Sequence, residues 1–225
     1  MRQRVELREL MDDPVDSLTE LEANLRDIAR ANRFLGGVAP ISRELERTGA
    51  TTVLDVGCGA ADIPRVLLQQ ASRRNRALTI TCLDKNEEML RIAGGDVATS
   101  QLTFVRGDGT SLPYADGAFD VAMCSLTMHH LKPEDAVALL RELRRVSRTT
   151  PVVCDLRRSA LAYAAVSIYV RLFSRNRLTR HDGPISVLRA YTPDEALTVA
   201  KKAGWHAPRV RMEPWFRMTL IDEGA

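Results

Sequence analysis

The sequence has little of what marks secreted, zinc-binding or membrane-spanning proteins. Its four cysteines form no CxxC pair, so zinc-type spacing is absent. Each cysteine lies in or just after an apolar strand-like run, which predicts free, buried thiols of a cytoplasmic protein. The longest nearly uncharged apolar run, 160–170, is too short to span a bilayer. The N-terminal "MRQRVELREL" lacks the apolar stretch of a secretory signal.

The charge balance also excludes classes of partner. There are 32 basic and 29 acidic side chains, and the formal net charge is +3. This excess is too small to indicate binding to nucleic acid. The length of 225 residues suits one α/β domain with additions.

Short apolar runs alternate with helical patterns after residue 50, which predicts a doubly wound α/β sheet. We expect a Rossmann-like sheet of seven strands, the last antiparallel and closing as a hairpin, with helices on both faces. An N-terminal helix over 16–32 and a short one over 40–47 would form a helical cap, residues 1–49. The sheet domain would cover 50–225, with a lid insertion at 157–191. The predicted strands are "TTVLDV", "LTITCL", "LTFVR", "FDVAMC", "PVVCDL", "APRVRMEP" and "WFRMTLI".

The loop "VLDVGCGAAD" follows the first predicted strand and is typical of a nucleotide site. Glycines at 57 and 59 would let the backbone approach a ligand closely. Asp62 stands where a dinucleotide fingerprint has its third glycine, and its charge would compete with a pyrophosphate. No G-K-[ST] follows, so a P-loop is excluded. The loop therefore predicts a nucleoside ligand without a pyrophosphate.

Acidic residues end three successive predicted strands, at Asp55, Asp84 and Asp108. A carboxylate at the tip of the second strand can accept both ribose hydroxyls. Asp108 could accept from an adenine amino group. Any one strand-end aspartate is more often a helix cap or a turn residue, but three in succession favour a nucleoside site.

These residues give the chain a family resemblance. It resembles class I S-adenosylmethionine-dependent methyltransferases, in the broad group that contains the ubiquinone and menaquinone methyltransferases. The resemblance covers about residues 50–155. Ala61 stands where a third small glycine is common, and "SRTTP" replaces the usual "RPGG" turn. The matching segments are "VLDVGCGAAD", "LDKNEEML", "GDGTSLPYADGAFDVAMCSLTMHHL" and "LLRELRRVSR".

The resemblance implies S-adenosyl-L-methionine as cofactor and assigns its contacts. The glycine loop, with Asp55, would bind the aminoacid part, and Asp84 would bind the ribose. Asp108 would lie by the adenine, and the segment of Cys124 and Ser125 would pass under the cofactor. The full predicted set of cofactor-binding residues is Asp55, Gly57, Cys58, Gly59, Asp62, Asp84, Lys85, Asp108, Gly109, Cys124 and Ser125.

The predicted catalytic residues follow the fourth and fifth strands. His129 and His130 lie in "LTMHHL", and Asp155 ends "VVCDL". Neighbouring parallel strands would place an imidazole beside a carboxylate, the geometry of a general base oriented by an acid. Some O-methyltransferases of the resembled group use such a pair. We predict His129 as the base, with His130 as the alternative; a packing or turn-capping role for His129 stays open.

The acceptor is expected between the N-terminal helices and the lid. Tyr163, Tyr169 and His181 are the predicted acceptor contacts, and apolar residues of the helix 160–173 would suit an aromatic or alkyl-bearing molecule. The same apolar face could instead pack on the core, and His181 could lie in a solvated loop. A weak membrane-surface contact is a minor alternative for a basic cluster. That cluster is Arg157, Arg158, Arg171, Arg175, Arg177 and Arg180.

Together these patterns predict an O-methyltransferase that acts on a small phenolic or polyketide-type molecule. The alternatives are C-methylation of a quinone precursor and a protein that binds the cofactor without transferring methyl. We expect no metal, since no Asp-Asp-Asn ligand set can be assembled at the strand ends. No nucleic-acid partner and no integral membrane segment are expected, and the chain would be a monomer or a homodimer.

Overall fold

A seven-stranded sheet forms the centre of the computed structural model, in the order β3-β2-β1-β4-β5-β7-β6. The structure describes residues 3–13, 15, 17–95 and 100–224. Strands β1 to β5 run parallel, and β7 is antiparallel to both β5 and β6. The predicted fold class, including the antiparallel last strand, is confirmed. The strands are β1 Thr52–Val56, β2 Thr79–Asp84, β3 Leu102–Arg106, β4 Val121–Ser125, β5 Val152–Leu156, β6 Pro208–Glu213 and β7 Arg217–Asp222.

Eight α-helices lie within the described residues, and three of them occur where the sequence predicts helices, over 16–32, 40–47 and 160–173. Two short 3-10 helices, Leu10–Asp12 and Met128–His130, border the candidate site. The α-helices are α1 Leu18–Phe34, α2 Ala39–Thr48, α3 Asp62–Arg73, α4 Glu87–Gly94, α5 Pro133–Val146, α6 Ala160–Phe173, α7 Arg177–Arg189 and α8 Pro193–Lys202.

Both faces of the sheet are covered, which explains why its parallel strands read as continuous apolar runs. One face packs with Leu139, Leu143 and other residues of α5 and α8. The other packs with α2 and α3, through residues such as Ile41 and Leu67. The covered sheet leaves the carboxyl ends of β1, β2 and β4 as the accessible edge, the place where open α/β sheets bind ligands.

Helix α7 corrects one prediction. Within the lid insertion, the basic, polar composition of "SRNRLTRHDGPISVLRAY" predicts a connector without helical structure. In the structure this segment is helical, and Pro184 lies inside the helix. Asn176 caps it, its side chain accepting from the N–H of Thr179 at 3.1 Å. Burial of Leu178 and Val187 stabilises the helix despite its weak local pattern.

The two N-terminal helices have different positions: α2 packs on the sheet, and α1 lies over the accessible edge. Helix α2 packs on the sheet, with Ile41 and Leu45 in the same buried cluster as Val53. Only α1 and the segment before it lie over the accessible edge, although the predicted cap extends to residue 49. That division into domains stays a prediction. Asp16, where the predicted first helix starts, lies outside the described residues, and α1 begins at Leu18 after the N-cap Ser17.

None of the helices in the described ranges is both long enough and apolar enough to cross a membrane.

Candidate active site

A cleft of about 1010 Å³ opens at the carboxyl ends of β1, β2 and β4. It continues between the N-terminal segment, α1, α6 and α7, so the predicted nucleotide and acceptor regions share one space. Most of the predicted site residues line it. These are Asp55, Gly57, Cys58, Gly59, Asp62, Asp84, Lys85, Asp108, Gly109, Ser125, His129, His130 and Tyr169.

The glycine loop turns sharply between β1 and α3, and two of its residues have backbone conformations that favour glycine. Gly57 has φ +74, and a Cβ there would meet Oγ1 of Thr127 at 2.5 Å. Gly59 has φ +51 and open space where a Cβ would be. The turn is anchored to β2, since the N–H of Gly57 donates to the carbonyl of Leu83 at 2.7 Å. The loop therefore presents its backbone, rather than side chains, to the cleft.

Asp84, which ends β2, and Asp108, which follows β3, both line the cleft. Asp84 accepts from the N–H of Gly59 at 3.0 Å and from that of Asn86 at 2.9 Å. Asp108 uses Oδ1 to accept from the N–H and hydroxyl of Thr110. These hydrogen bonds from Thr110 hold the pKa of Asp108 below its usual range. Asp84 thus links the glycine loop to the end of β2, in a fixed orientation.

Three carboxyl groups lie together beneath the glycine loop. Burial, followed by the neighbouring charges of Asp62 and Asp84, raises the pKa of Asp55 to about 8. Burial also raises the pKa of Asp62, although Asn32 of α1 donates to its carboxylate at 3.0 Å. An anionic ligand group would add to this repulsion, whereas a cationic group would relieve it. This end of the cleft therefore favours a ligand that carries positive charge.

His129 and Asp155 form a buried pair at the ends of β4 and β5. Nδ1 of His129 lies 2.6 Å from Oδ1 of Asp155, and the His129 backbone N–H donates to Oδ2 at 3.1 Å. The imidazole and the hydrogen bonds to the carboxylate lower the pKa of Asp155 against the opposing effect of burial. An ionised Asp155 makes Nδ1 the protonated ring nitrogen and leaves the Nε2 lone pair for the cleft. The pairing matches the predicted geometry, while its catalytic role stays a prediction.

The turn that carries His129 is locally strained. Leu126, the first residue after β4, has φ 53, which is unusual for a side chain of its size. Its N–H donates to the carbonyl of Cys154 at 3.0 Å, so the neighbouring strand fixes this conformation. The strained turn aims the following 3-10 helix, and with it His129, at the cleft.

Residues 3–13, here called the N-terminal segment, cover His129 and His130. The sequence does not predict this contact. Arg4 donates to the backbone carbonyls of His129 and Leu131 at 2.6 and 2.7 Å. Asp12 accepts from Arg189 at 2.5 Å and lies 3.1 Å from Nδ1 of His130. A charged segment of this kind is typical of a solvated surface. The sequence therefore gives no indication that residues 3–13 contact the histidines.

Glu9 is the most deeply buried acid of the N-terminal segment. Its side chain is 1% exposed, and its two carboxylate oxygens lie 3.9 Å from Nε2 of His129 and of His130. Burial raises the pKa of Glu9 to about 7, against the lowering effect of His130 and Arg189. The three side chains bring one donor atom each within 4.8 Å of the others, a spacing that a metal ion could also use. The predicted absence of a metal stays a prediction.

Three of the predicted contacts lie elsewhere. The Cys124 side chain is buried in the core beside Leu54 and Val56, away from the cleft. Tyr163 is 40% exposed and does not line the cleft, although Tyr169 of the same helix does. His181 also lies outside the cleft lining, paired with Asp182 at 2.8 Å. The residues of α6 that do line the cleft are Val166, Tyr169, Val170 and Phe173.

Asp182 replaces His181 as the structurally important residue of this pair. It is buried, and its carboxylate accepts from the N–H groups of Leu10 and Met11 at 2.8 and 3.2 Å. These bonds dock the N-terminal segment on α7 beside the cleft. The sequence-based alternative of a solvated loop is therefore wrong for Asp182, because the segment that covers it is more than 170 residues away in the chain.

The comparisons with known proteins agree with this geometry. Residues 53–150 match the family model described as "Methyltransferase domain". A ubiquinone/menaquinone biosynthesis C-methyltransferase, UbiE, of Roseobacter denitrificans is 32% identical over 133 residues, 57% of this chain and 50% of the relative. A demethylmenaquinone methyltransferase of Bacillus velezensis is 32% identical over 105 residues, 45% and 43% of the two chains. The chain spans between 23% and 55% of the length of the curated relatives it matches.

Solved structures share the fold over nearly the whole chain. A SAM-dependent methyltransferase from Aquifex aeolicus superposes with a TM-score of 0.64 at 19% identity, over 91% of this chain and 98% of the other. At that identity the likeness establishes the fold alone. The family match covers the glycine loop and strands β1 to β4, and the shared fold extends over 91% of the chain. The sheet domain therefore has the fold of the class I S-adenosylmethionine-dependent methyltransferases, and its sequence is similar to the group that contains the ubiquinone and menaquinone methyltransferases.

Proposed function

We propose that this protein transfers a methyl group from S-adenosylmethionine to a hydroxyl of a small phenolic or polyketide-type molecule, with His129 as general base. The observation that carries the proposal is the buried His129–Asp155 pair, 2.6 Å apart, which faces the same cleft as Asp84. A base is needed because a phenol with a pKa near ~10 is mostly protonated at neutral pH.

The residues around the glycine loop fit the proposed cofactor. S-adenosylmethionine carries an ammonium and a sulfonium, and the raised pKa of Asp55 reflects a local excess of acidic groups that such charges would relieve. Asp84 would hold the ribose, and Asp108 would lie at the adenine. When bound, the cofactor supplies the electrophilic methyl carbon for an in-line displacement.

The chain's own residues would orient the acceptor and remove its proton. Nε2 of His129 would accept the hydroxyl proton as the acceptor oxygen attacks, and Asp155 would stabilise the imidazolium that forms. Val166, Val170 and Phe173 of α6 would pack against the acceptor's apolar body and exclude water. Transfer of the proton during methylation is typically worth about 10²–10⁴-fold in rate.

The test of this proposal is product analysis. Wild-type protein is incubated with S-adenosylmethionine and a panel of alkylphenols, naphthols and hydroxyquinones, and products are examined by mass spectrometry and NMR. An O-methyl ether that is absent with His129→Ala supports the proposal. Cofactor binding without any methylated product would favour the alternative of a protein that only binds the cofactor.

C-methylation of a quinone precursor is the second candidate, because the two curated relatives described above carry quinone-biosynthesis names. The same NMR spectra separate the two, since a C-methyl product lacks the methoxy resonance and retains its hydroxyls. We propose O-methylation as the first candidate because the His129 ring, with its proton on Nδ1, is suited to accept from a hydroxyl at Nε2. A cytoplasmic location and a monomeric or homodimeric state remain part of the proposal.

Cofactor binding is expected to release about one proton at pH 7. Asp55, with a pKa of about 8, is mostly protonated at that pH in the free protein. A bound ammonium would lower its pKa, so the proton leaves, and affinity should rise with pH up to about 8 and then level off. Calorimetry with S-adenosylhomocysteine in phosphate and Tris buffers measures the release.

Asp55→Asn is the matched control for this linkage. It keeps the shape of the side chain but has no proton to release, so binding heats should no longer depend on the buffer. A wild-type binding heat that is the same in both buffers would contradict the assignment to Asp55.

A further inference from the structure

The Glu9 carboxyl group lies where a substrate would meet the catalytic pair, and its Oε1 has no hydrogen-bond partner among the described residues. Orphaned polar atoms this deeply buried are rare, since leaving one unpaired forfeits the hydrogen bonds that it makes to water in the unfolded chain. Glu9 lines the cleft together with His129. An unpartnered acid at a substrate cleft indicates that a ligand atom completes its hydrogen bonding.

The distances define the space that such a ligand atom would occupy. The 3.9 Å between Oε1 of Glu9 and Nε2 of His129 is too long for a direct hydrogen bond. Two ligand oxygens on neighbouring ring carbons, approaching from the cleft beside this pair, could each form a hydrogen bond with one of the two side chains. The N–H of Glu9 donates to Asp12 at 3.1 Å, which fixes the backbone, and Nη1 of Arg189 lies 3.6 Å from Oε1, beyond hydrogen-bond distance.

The reacting oxygen is poorly suited to bond both groups at once. Its hydrogen points to Nε2 of His129, and one of its lone pairs must attack the methyl carbon. A hydrogen bond donated by Glu9 to the same oxygen would withdraw electron density from it and slow the attack. Glu9 is therefore better placed to bond a second oxygen on the neighbouring ring carbon, as acceptor for a hydroxyl or, when protonated, as donor to a carbonyl.

We propose that the acceptor carries two adjacent ring oxygens, with the reacting hydroxyl at His129 and the second oxygen at Glu9. This inference rests on the proposed function. In the transfer, the methyl C–S bond breaks and an O–CH3 bond forms. The electron pair of the broken bond stays on sulfur, and the hydroxyl proton passes to Nε2 of His129. The second oxygen keeps its own hydrogen bond to Glu9 throughout, so Glu9 is a specificity-determining residue.

Binding of matched probes to the S-adenosylhomocysteine complex tests the proposal without any methyl transfer. The probes are 4-pentylcatechol and 4-pentylphenol, whose alkyl chain suits the apolar residues of α6. We expect the wild-type protein to bind the catechol about 10- to 100-fold more tightly, the effect of one hydrogen bond to a charged group. Equal affinities, or no binding of either probe, would overturn the inference.

Variants then assign the preference to Glu9. Glu9→Leu should bind the catechol no more tightly than the wild-type protein binds the phenol, and its affinity for the phenol should be unchanged. Glu9→Gln should retain part of the preference for the catechol. Glu22→Gln on α1, whose side chain is 43% exposed, is the control and should behave as wild type. Thermal melts check that each variant folds. If Glu9→Leu does not fold, the wild-type comparison and Glu9→Gln still decide.

Two further arms separate this inference from its rivals. A catechol preference that vanishes after EDTA dialysis and returns with Zn²⁺ or Mn²⁺ would overturn it, because a metal ion would then bridge the acceptor. The protein could still prefer the catechol while His129→Ala methylates normally. That result would support the role of Glu9 and refute His129 as the general base.

Discussion

Replacing His129 with alanine is expected to lower kcat by about 10²–10⁴-fold, with little change in cofactor affinity. The substitution removes the Nε2 lone pair at the cleft but no group that touches the glycine loop. Asp155→Asn should also lower kcat, because the carboxylate holds the imidazole at 2.6 Å and stabilises its charged form. The measurement is steady-state turnover on an acceptor identified by product analysis, beside calorimetry with S-adenosylhomocysteine.

Three variants make this prediction sharper. The double variant His129→Ala/Asp155→Asn should be no worse than His129→Ala, since two residues that act as one unit are not additive. His206→Ala, an exposed histidine outside the cleft, is the matched control and should leave turnover unchanged. If His130→Ala abolishes turnover while His129→Ala retains it, His130 is the base. Full activity in both would indicate transfer without a histidine base.

The second large effect is expected at Asp84. Asp84→Ala should weaken S-adenosylhomocysteine binding by about 1.5–3 kcal/mol, or roughly 10- to 150-fold, the usual contribution of hydrogen bonds to a charged group. The loss includes the orientation of the glycine loop, because Asp84 also accepts from the N–H of Gly59. Asp84→Asn keeps one acceptor oxygen, so its affinity for S-adenosylhomocysteine should lie between those of the wild type and Asp84→Ala.

Asp116→Ala serves as the control for charge. Asp116 is 82% exposed and pairs with Arg145, whose other partner, Glu142, remains in the variant. Its removal should leave cofactor affinity within twofold of wild type, about 0.4 kcal/mol. An Asp84→Ala protein that melts normally and binds as well as this control would refute the ribose assignment. Tight binding of NADH in place of S-adenosylhomocysteine would refute the cofactor itself.

The sheet and one half of the site could be predicted from sequence because their signals are local. Each parallel strand is an apolar run, and each ends at a residue whose position on the edge follows from the topology. His129 and Asp155 lie 26 residues apart, one crossover between adjacent strands β4 and β5. The topology alone therefore brought them together.

The other half of the site could not be predicted, because its contacts join distant parts of the chain. Arg4 reaches the carbonyl of His129 across 125 residues, and Asp182 docks Leu10 across 172. Nothing in the local pattern of "ELRELMDD" distinguishes Glu9, a buried acid, from its solvated neighbours. Helix α7 escaped prediction for a related reason. Its Gly183–Pro184 pair breaks isolated helices, and packing against α1, α6 and the two 3-10 helices stabilises it in the folded protein.

The docking of the N-terminal segment also sets the order in which the molecule is completed during synthesis. Asp12 is bonded to Arg189, 177 residues later, so the N-terminal segment is synthesised long before the helix that supplies its partner. The glycine loop and strands β1 to β5 are complete once residue 156 has emerged. Closing so long a loop costs little more entropy than closing one half its length, but it is slow. The residues of strands β1 to β5 are thus available for pairing before the N-terminal segment can dock on α7.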